Sequence, residues 1–191
     1  MYAEERDTPK RILEAALDLI SQRGYANVSM RDIARQAGVA ISQIAYHYKN
    51  KEGLFIALIR QVKESFLGDI QEKMSRISTS DEFIDFLCEY SKESIVRDSD
   101  IHRLRLEFSN LAMGPGPFRA EFSTLVGELL DIVASYVSDY APHLEILKTH
   151  SPRQVANFII ALILGVSTQY LAEGKDKRAL ETIDILKAAI K

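Results

Sequence analysis

The chain is poor in residues that cross-link or punctuate a fold: of 191 residues, one is cysteine, five are proline and nine are glycine. A lone cysteine, Cys88, excludes an intramolecular disulfide and fits a reducing, cytoplasmic compartment. The prolines stand at positions 9, 115, 117, 142 and 152, where each can open or break a helix. No stretch has the roughly 18 uncharged apolar residues of a membrane span. The most apolar stretch, residues 155–172, is interrupted by Asn157, Ser167, Thr168 and Gln169. It reads as a buried or interface helix, and no membrane partner is expected. The N-terminal "MYAEERDTPKR" has no apolar signal core, which predicts a protein that is not exported. His47, His102, His143 and His150 lack metal-ligand spacing, and no phosphate loop or nucleophile motif occurs. No catalytic residue, metal or cofactor is therefore expected, and Cys88 reads as a small buried apolar residue.

What is present is enough to build a core and a polar surface: 47% of residues are apolar and 27% charged. The net charge of −3 conceals an asymmetry. Residues 1–60 hold 9 Lys+Arg against 7 Asp+Glu, while the remainder holds 15 against 20. This permits a small nucleic-acid-contacting head on an acidic body.

The pattern is helical nearly throughout, without repeats and with little strand-like alternation. Thr8-Pro9 suits a helix start; Ile12, Leu13, Ala16, Leu17 and Ile20 form its stripe, and Gly24 stops it. Ser29 can cap a second helix with Ile33, Ala34 and Ala37 inward, ended by Gly38. A third short helix spans about 41–48. Asn50 can cap a fourth, to about residue 75. Further helices are expected from Asp81 to about Arg97, over about 100–113, from Pro117 to about Tyr140, from Ser151-Pro152 to Gly174, and over about 176–190. The fold class is all-α, with about nine helices. Residues 1–50 form a three-helix head and residues 51–191 a helical body, joined by the helix at about 51–75.

In the third helix, Ile41, Ile44, Ala45 and Tyr48 share one face, which is expected to pack inward. Ser42, Gln43, Tyr46 and His47 then point outward. Two short helices with Gly38 at their tight turn make a helix-turn-helix, whose second helix enters a DNA major groove. Gln43 has the donor–acceptor pair that can read adenine. The Ser and Tyr hydroxyls, His47, Lys49 and Lys51 suit phosphate oxygens, as do Ser29 and Arg31 at a helix N-terminus. A helical hairpin with an ordinary polar face remains the alternative on this pattern alone, as do a helical scaffold or an all-helical enzyme for the chain as a whole.

The run "ILEAALDLISQRGYANVSMRDIARQAGVAISQIAYHYKNKEGLFIALI" (12–59) resembles the N-terminal domain of the tetracycline-repressor (TetR) family of bacterial regulators. The ordered features are Gly24, Tyr25, Ser29, Ile33-Ala34, Ala37-Gly38-Val39, Tyr46-His47-Tyr48, Lys51-Glu52 and Leu54. The chain departs from the family pattern at Ala40, at Ile41-Ser42-Gln43 and at Ala45, where Ser, Lys-Gly-Thr and Tyr are common. These departures fall on the reading helix, so a relative's operator sequence does not carry over.

The resemblance implies a homodimeric repressor on a roughly palindromic double-stranded DNA operator, released or engaged through a small-molecule effector. It implies a dimer surface from the last two long helices, about 152–173 and 176–190. Phe158, Ile159, Leu162, Ile163, Val166, Tyr170 and Leu186 are its candidate residues. It also implies an effector cavity in the body. Tyr90, His102, Arg105, Phe108, Asn110, Met113, Phe122, Tyr136 and Gln169 are candidate walls, and their mix suggests an apolar or aromatic effector.

Overall fold

The computed structural model describes residues 2–190, with side chains from Thr8 onward. Within these, nine α-helices and three short 3₁₀ segments follow one another, and no strand occurs. The helices are α1 (Tyr2–Arg23), α2 (Met30–Ala37), α3 (Ile41–Tyr48), α4 (Lys51–Met74), α5 (Ser80–Arg97), α6 (Ser99–Met113), α7 (Pro117–Tyr140), α8 (Pro152–Ala172) and α9 (Ile185–Ala189). Two compact units emerge: residues up to Phe66 with Arg103–Phe122, and Leu67–His102 with the chain from Ser123 onward.

The first unit is built on the apolar stripe of α1. Ile12, Ala16 and Ile20 are fully buried, as are Ile33 of α2, Ile44 of α3 and Leu54 and Phe55 of α4. Phe55, Phe108 and Phe118 meet edge to face at centroid distances of 5.8–6.0 Å, and Tyr25 lies 4.9 Å from Phe55. Such aromatic pairs add about 0.5–1.5 kcal/mol each beyond their buried area. Arg60 of α4 forks onto Glu121 of α7 at 2.6 and 2.7 Å, and this pairing holds the Glu121 carboxyl below its ordinary range.

The helix starts follow capping chemistry. Ser29, Thr79 and Ser151 each accept from the backbone N–H three residues on, and Asp32, Glu82 and Gln154 reach back to the cap. Each such cap is worth about 1 kcal/mol. Gly38 ends α2 at φ 64°, ψ 39°, the left-handed conformation a helix stop needs. Gly53 is required for a different reason: a Cβ there would lie 2.3 Å from the Tyr48 carbonyl oxygen.

Three starts and ends differ from the sequence reading. Thr79, and not Asp81, caps α5. Pro9 lies inside α1 and does not open it. Its ring removes one N–H, and its carbonyl accepts from the Tyr48 hydroxyl at 3.1 Å. The last segment is not one α-helix over 176–190. Asp176 accepts from the N–H of Arg178, opening a 3₁₀ run, Lys177–Asp184, that continues into α9. Buried Leu180, Ile183 and Leu186 repeat every three residues, which matches a helix with three residues per turn.

The second unit packs Phe83, Ile84, Cys88 and Ile95 of α5 with Val137 of α7, Val155, Ile159, Val166 and Tyr170 of α8, and Leu180, Ile183 and Leu186. Burial raises the Cys88 thiol pKa, and its Sγ faces the Ile183 carbonyl. Helix α8 is long and apolar enough by length and composition to cross a membrane, a property the core helix of a soluble protein shares. Here its inner face is part of this core.

Candidate nucleic-acid interface

The turn between α2 and α3 is held from outside by α1. One Arg11 Nη donates to the carbonyl oxygens of Ala37 at 2.6 Å and Gly38 at 3.2 Å. Gln36 of α2 donates to Asp18 of α1. The Tyr48 hydroxyl ties the end of α3 to Pro9. Arg11 and Gln36 thus fix the end of α2 and its turn against α1, and Tyr48 fixes α3, whose buried face is anchored by Ile44. Of the three tethering side chains, Tyr48 was expected from the sequence as an inner-face residue, whereas Arg11 and Gln36 were not singled out. The signal was a cation, Arg11, next to the apolar stripe of α1.

Among the sequence candidates on α3, Ser42, Gln43, Tyr46 and His47 are all exposed, Tyr46 to 84%. The Tyr46 and His47 rings meet edge to face at 5.1 Å. Arg31 and Lys49 are exposed as well. The expected inner face is narrower than its spacing suggested. Ile44 is buried and Tyr48 half-buried, but Ile41 and Ala45 lie outside, Ile41 to 46%. An eight-residue helix resting on one large side chain covers only a thin stripe, so flanking positions stay in solvent.

Several candidates have partners of their own. The Gln43 Oε1 folds back to accept from the Ala40 N–H at 3.1 Å, capping α3 where alanine offers no side-chain cap. Ser29 and Asp32 satisfy each other at the start of α2. The Ser29 bonds hold the Asp32 carboxyl below its ordinary range, with Arg35 assisting. The N-terminus of α2 therefore already holds an anion, contrary to the expectation of an open phosphate site. Lys51 also turns inward. Its ammonium donates to the Tyr25 carbonyl and sits 4.1 Å over the Tyr25 ring, and burial lowers its pKa.

Lys49 has φ 64° and ψ −58°, and the Asn50 N–H reaches the Tyr48 carbonyl at 2.7 Å. This is a γ-turn of the rare, strained hand. It joins α3 to α4 within three residues and presents the Lys49 side chain next to the exposed face of α3.

The expected effector walls are distributed over both units. In the first, Phe108 belongs to the packed aromatic cluster, and burial pushes the Arg105 guanidinium down to about 10. Phe122 is half-buried against Phe108. Asn110 lines an open, polar groove of about 560 Å³ together with Arg23, Asn27, Arg103 and Glu107. In the second, burial raises the Tyr90 pKa, assisted by the bond its hydroxyl donates to Asp69 at 2.8 Å. His102 is buried 3.4 Å from the Ser94 hydroxyl, and Tyr136 is half-buried. Met113 and Gln169 are corrected to surface positions: Met113 follows helix α6 into an exposed Gly-Pro turn, and Gln169 pairs with Glu173 one helical turn away.

The dimer candidates split in the same way. Ile159, Val166, Tyr170 and Leu186 lie inside the second unit's own core, so they do not form an outer surface. Phe158 is 43% exposed, and Leu162 and Ile163 are half-buried. The outer stripe of α8 is Phe158, Ala161, Gly165 and Thr168.

Residues 12–58, the segment carrying α1 to α3 and the start of α4, match the bacterial regulatory proteins, tetR family. The match covers about a quarter of the chain, the segment that carries the helix-turn-helix. A curated relative, the HTH-type transcriptional regulator RutR of Escherichia coli (strain K12), is 33% identical over 87 residues, which is 44% of this chain and 41% of RutR. The chain thus spans about two fifths of that relative's length. Solved structures extend the likeness to the whole fold. A transcriptional regulator from Saccharomonospora viridis in complex with choline superposes with a TM-score of 0.81 at 20% identity, covering 96% of this chain and 95% of that one. FadR from Bacillus subtilis in complex with stearoyl-CoA superposes at 0.78 and 19%, covering 95% and 99%. At these identities the likeness concerns the fold.

Proposed function

We propose that this chain is a ligand-responsive, DNA-binding transcriptional regulator: a cytoplasmic repressor that binds a palindromic operator as a homodimer and answers to a small apolar or aromatic effector. In this reading residues 1–50 bind DNA and residues 51–191 bind effector and partner subunit. The observation that carries it is the exposed face of α3 following the left-handed Gly38 turn that Arg11 braces, within the family-matching segment. Exposed Ser42, Tyr46, His47, Arg31 and Lys49 give phosphate and base-edge contacts. Two such heads in successive major grooves set half-site centres about 34–36 Å apart.

The dimer assignment draws on the exposed stripe of Phe158, Ala161 and Gly165, whose small residues let a second α8 approach closely. The effector reading draws on the relatives' folds and on the choline and stearoyl-CoA complexes of two neighbours. Effector action is a population shift, requiring unequal affinity for the DNA-competent and DNA-incompetent states.

The test is binding of the full chain to a random duplex pool across a salt series. A regulator enriches a palindrome, and its affinity falls steeply as salt rises. Tyr46→Ala should weaken binding to all duplexes alike. A chain that binds no duplex, or binds without salt dependence, is a scaffold or an enzyme.

A further inference from the structure

We propose that Ile41 and Ala45 read thymine through its C5-methyl group, so that each operator half-site places T·A pairs beneath this strip; the proposal rests on the DNA-binding reading above. The sequence spacing put both residues inside the fold, and the structure puts both outside. Ile41 is a β-branched apolar side chain, 46% exposed, in the first turn of the helix that faces the groove. Ala45 follows four residues on, so the two form a continuous apolar strip along one edge of α3. The adjoining strip, Ser42 and Tyr46, is polar.

The rest of α3 narrows the readout by what it lacks. The helix reads ISQIAYHY. It has no Arg or Lys to fork onto guanine, no Asn for adenine, and no Asp or Glu to accept from the cytosine amino group. Its one amide, Gln43, has the oxygen folded back onto the Ala40 N–H. The major groove offers a single apolar group, the thymine methyl. Covering it with Ile41 and Ala45 removes apolar surface of both molecules from water, which is the favourable direction. Exposed Arg31, in the first turn of α2, and Lys49, at the end of α3, supply positive charge for phosphates.

The experiment takes the tightest duplex selected by the full chain and replaces thymine with uracil, one position at a time. Uracil keeps every hydrogen-bonding group and deletes only the methyl. At one or two positions per half-site, binding should weaken about fourfold, the equivalent of one buried carbon group. The slope of affinity against salt should not change, because no phosphate contact is lost. In Ile41→Ala, thymine and uracil duplexes should bind equally at the position Ile41 covers. Ile41 is outside the core, so the variant's helix content and melting should match the parent's. Equal binding of the parent chain to every uracil duplex overturns the proposal and leaves DNA binding intact; the strip then belongs to another occupant, such as a second copy. An unchanged uracil penalty in both Ile41→Ala and Ala45→Gly also overturns it. Failure to enrich any duplex removes the DNA-binding reading and this inference with it.

Discussion

The two units of this chain are held together by different kinds of interaction. In the first, single side chains reach across long stretches of sequence to particular carbonyl oxygens: Arg11 to Ala37 and Gly38, Tyr48 to Pro9, Lys51 to Tyr25. In the second, an extended apolar cluster is the larger part, joined by a few long reaches such as Ser80 to the Tyr140 carbonyl and Lys92 to Asp184. Directional bonds fix where a helix points; apolar contact fixes only that it is covered. A groove-reading helix needs the first, because its side chains must meet base edges in register. A helical body needs mainly volume, which many sequences supply. The comparisons divide along the same line: the family match lies within residues 12–58, whereas likeness over the whole chain persists at about 20% identity.

The contrast can be broken from either side. Phe83→Ala, at the fully buried centre of the second unit, should cost about 3–5 kcal/mol in denaturant unfolding. Phe83→Leu should recover most of it, as expected where volume matters more than direction. Arg11→Ala should cost less in stability, about 1.5–3 kcal/mol for charge-assisted bonds. It should weaken DNA binding by more than its unfolded fraction accounts for, because the braced turn sets the pose of α3. A DNA affinity that tracks stability alone would contradict the division drawn here.

Two smaller effects sharpen it. Lys49→Gly should stabilise the chain by about 1 kcal/mol by relieving the positive-φ turn. The same change should reduce the salt slope of DNA binding by about one unit of charge, so stability and affinity move in opposite directions. Ser29→Ala should cost about 1 kcal/mol through loss of the α2 cap. It should also alter the acid limb. The native Asp32 carboxyl lies below its ordinary value, so its contribution is present above about pH 4 and disappears as pH falls through the native value. Melting followed from pH 6 to pH 3 should lose less in Ser29→Ala than in the parent. Least of all, Lys148→Ala removes an exposed ion pair and should change stability by under about 0.5 kcal/mol.

Much of this was legible in the sequence, for identifiable reasons. Ser29 and Gly38 bracket α2 because a hydroxyl cap and a left-handed stop are local chemistry. Pro117 and Ser151-Pro152 open α7 and α8 on the same grounds. What failed was anything decided by tertiary neighbours. Ile41 and Ala45 have the spacing of an inner face, but how wide that face is depends on what covers it. Lys51 reads as a phosphate ligand until Tyr25 supplies a closer ring and carbonyl. Ile159, Val166 and Tyr170 fit an interface stripe and a core stripe equally well, and the 3₁₀ run beside them decides for the core.

Gln43 carries two duties: its amide oxygen starts the helix on which it stands, and its side chain is exposed on the face proposed to meet DNA. A lineage that changes operator at this position must also find another way to begin α3. Ile41 and Ala45 carry no such obligation, so divergence in target choice should accumulate there first, with position 43 changing late and in company with position 40.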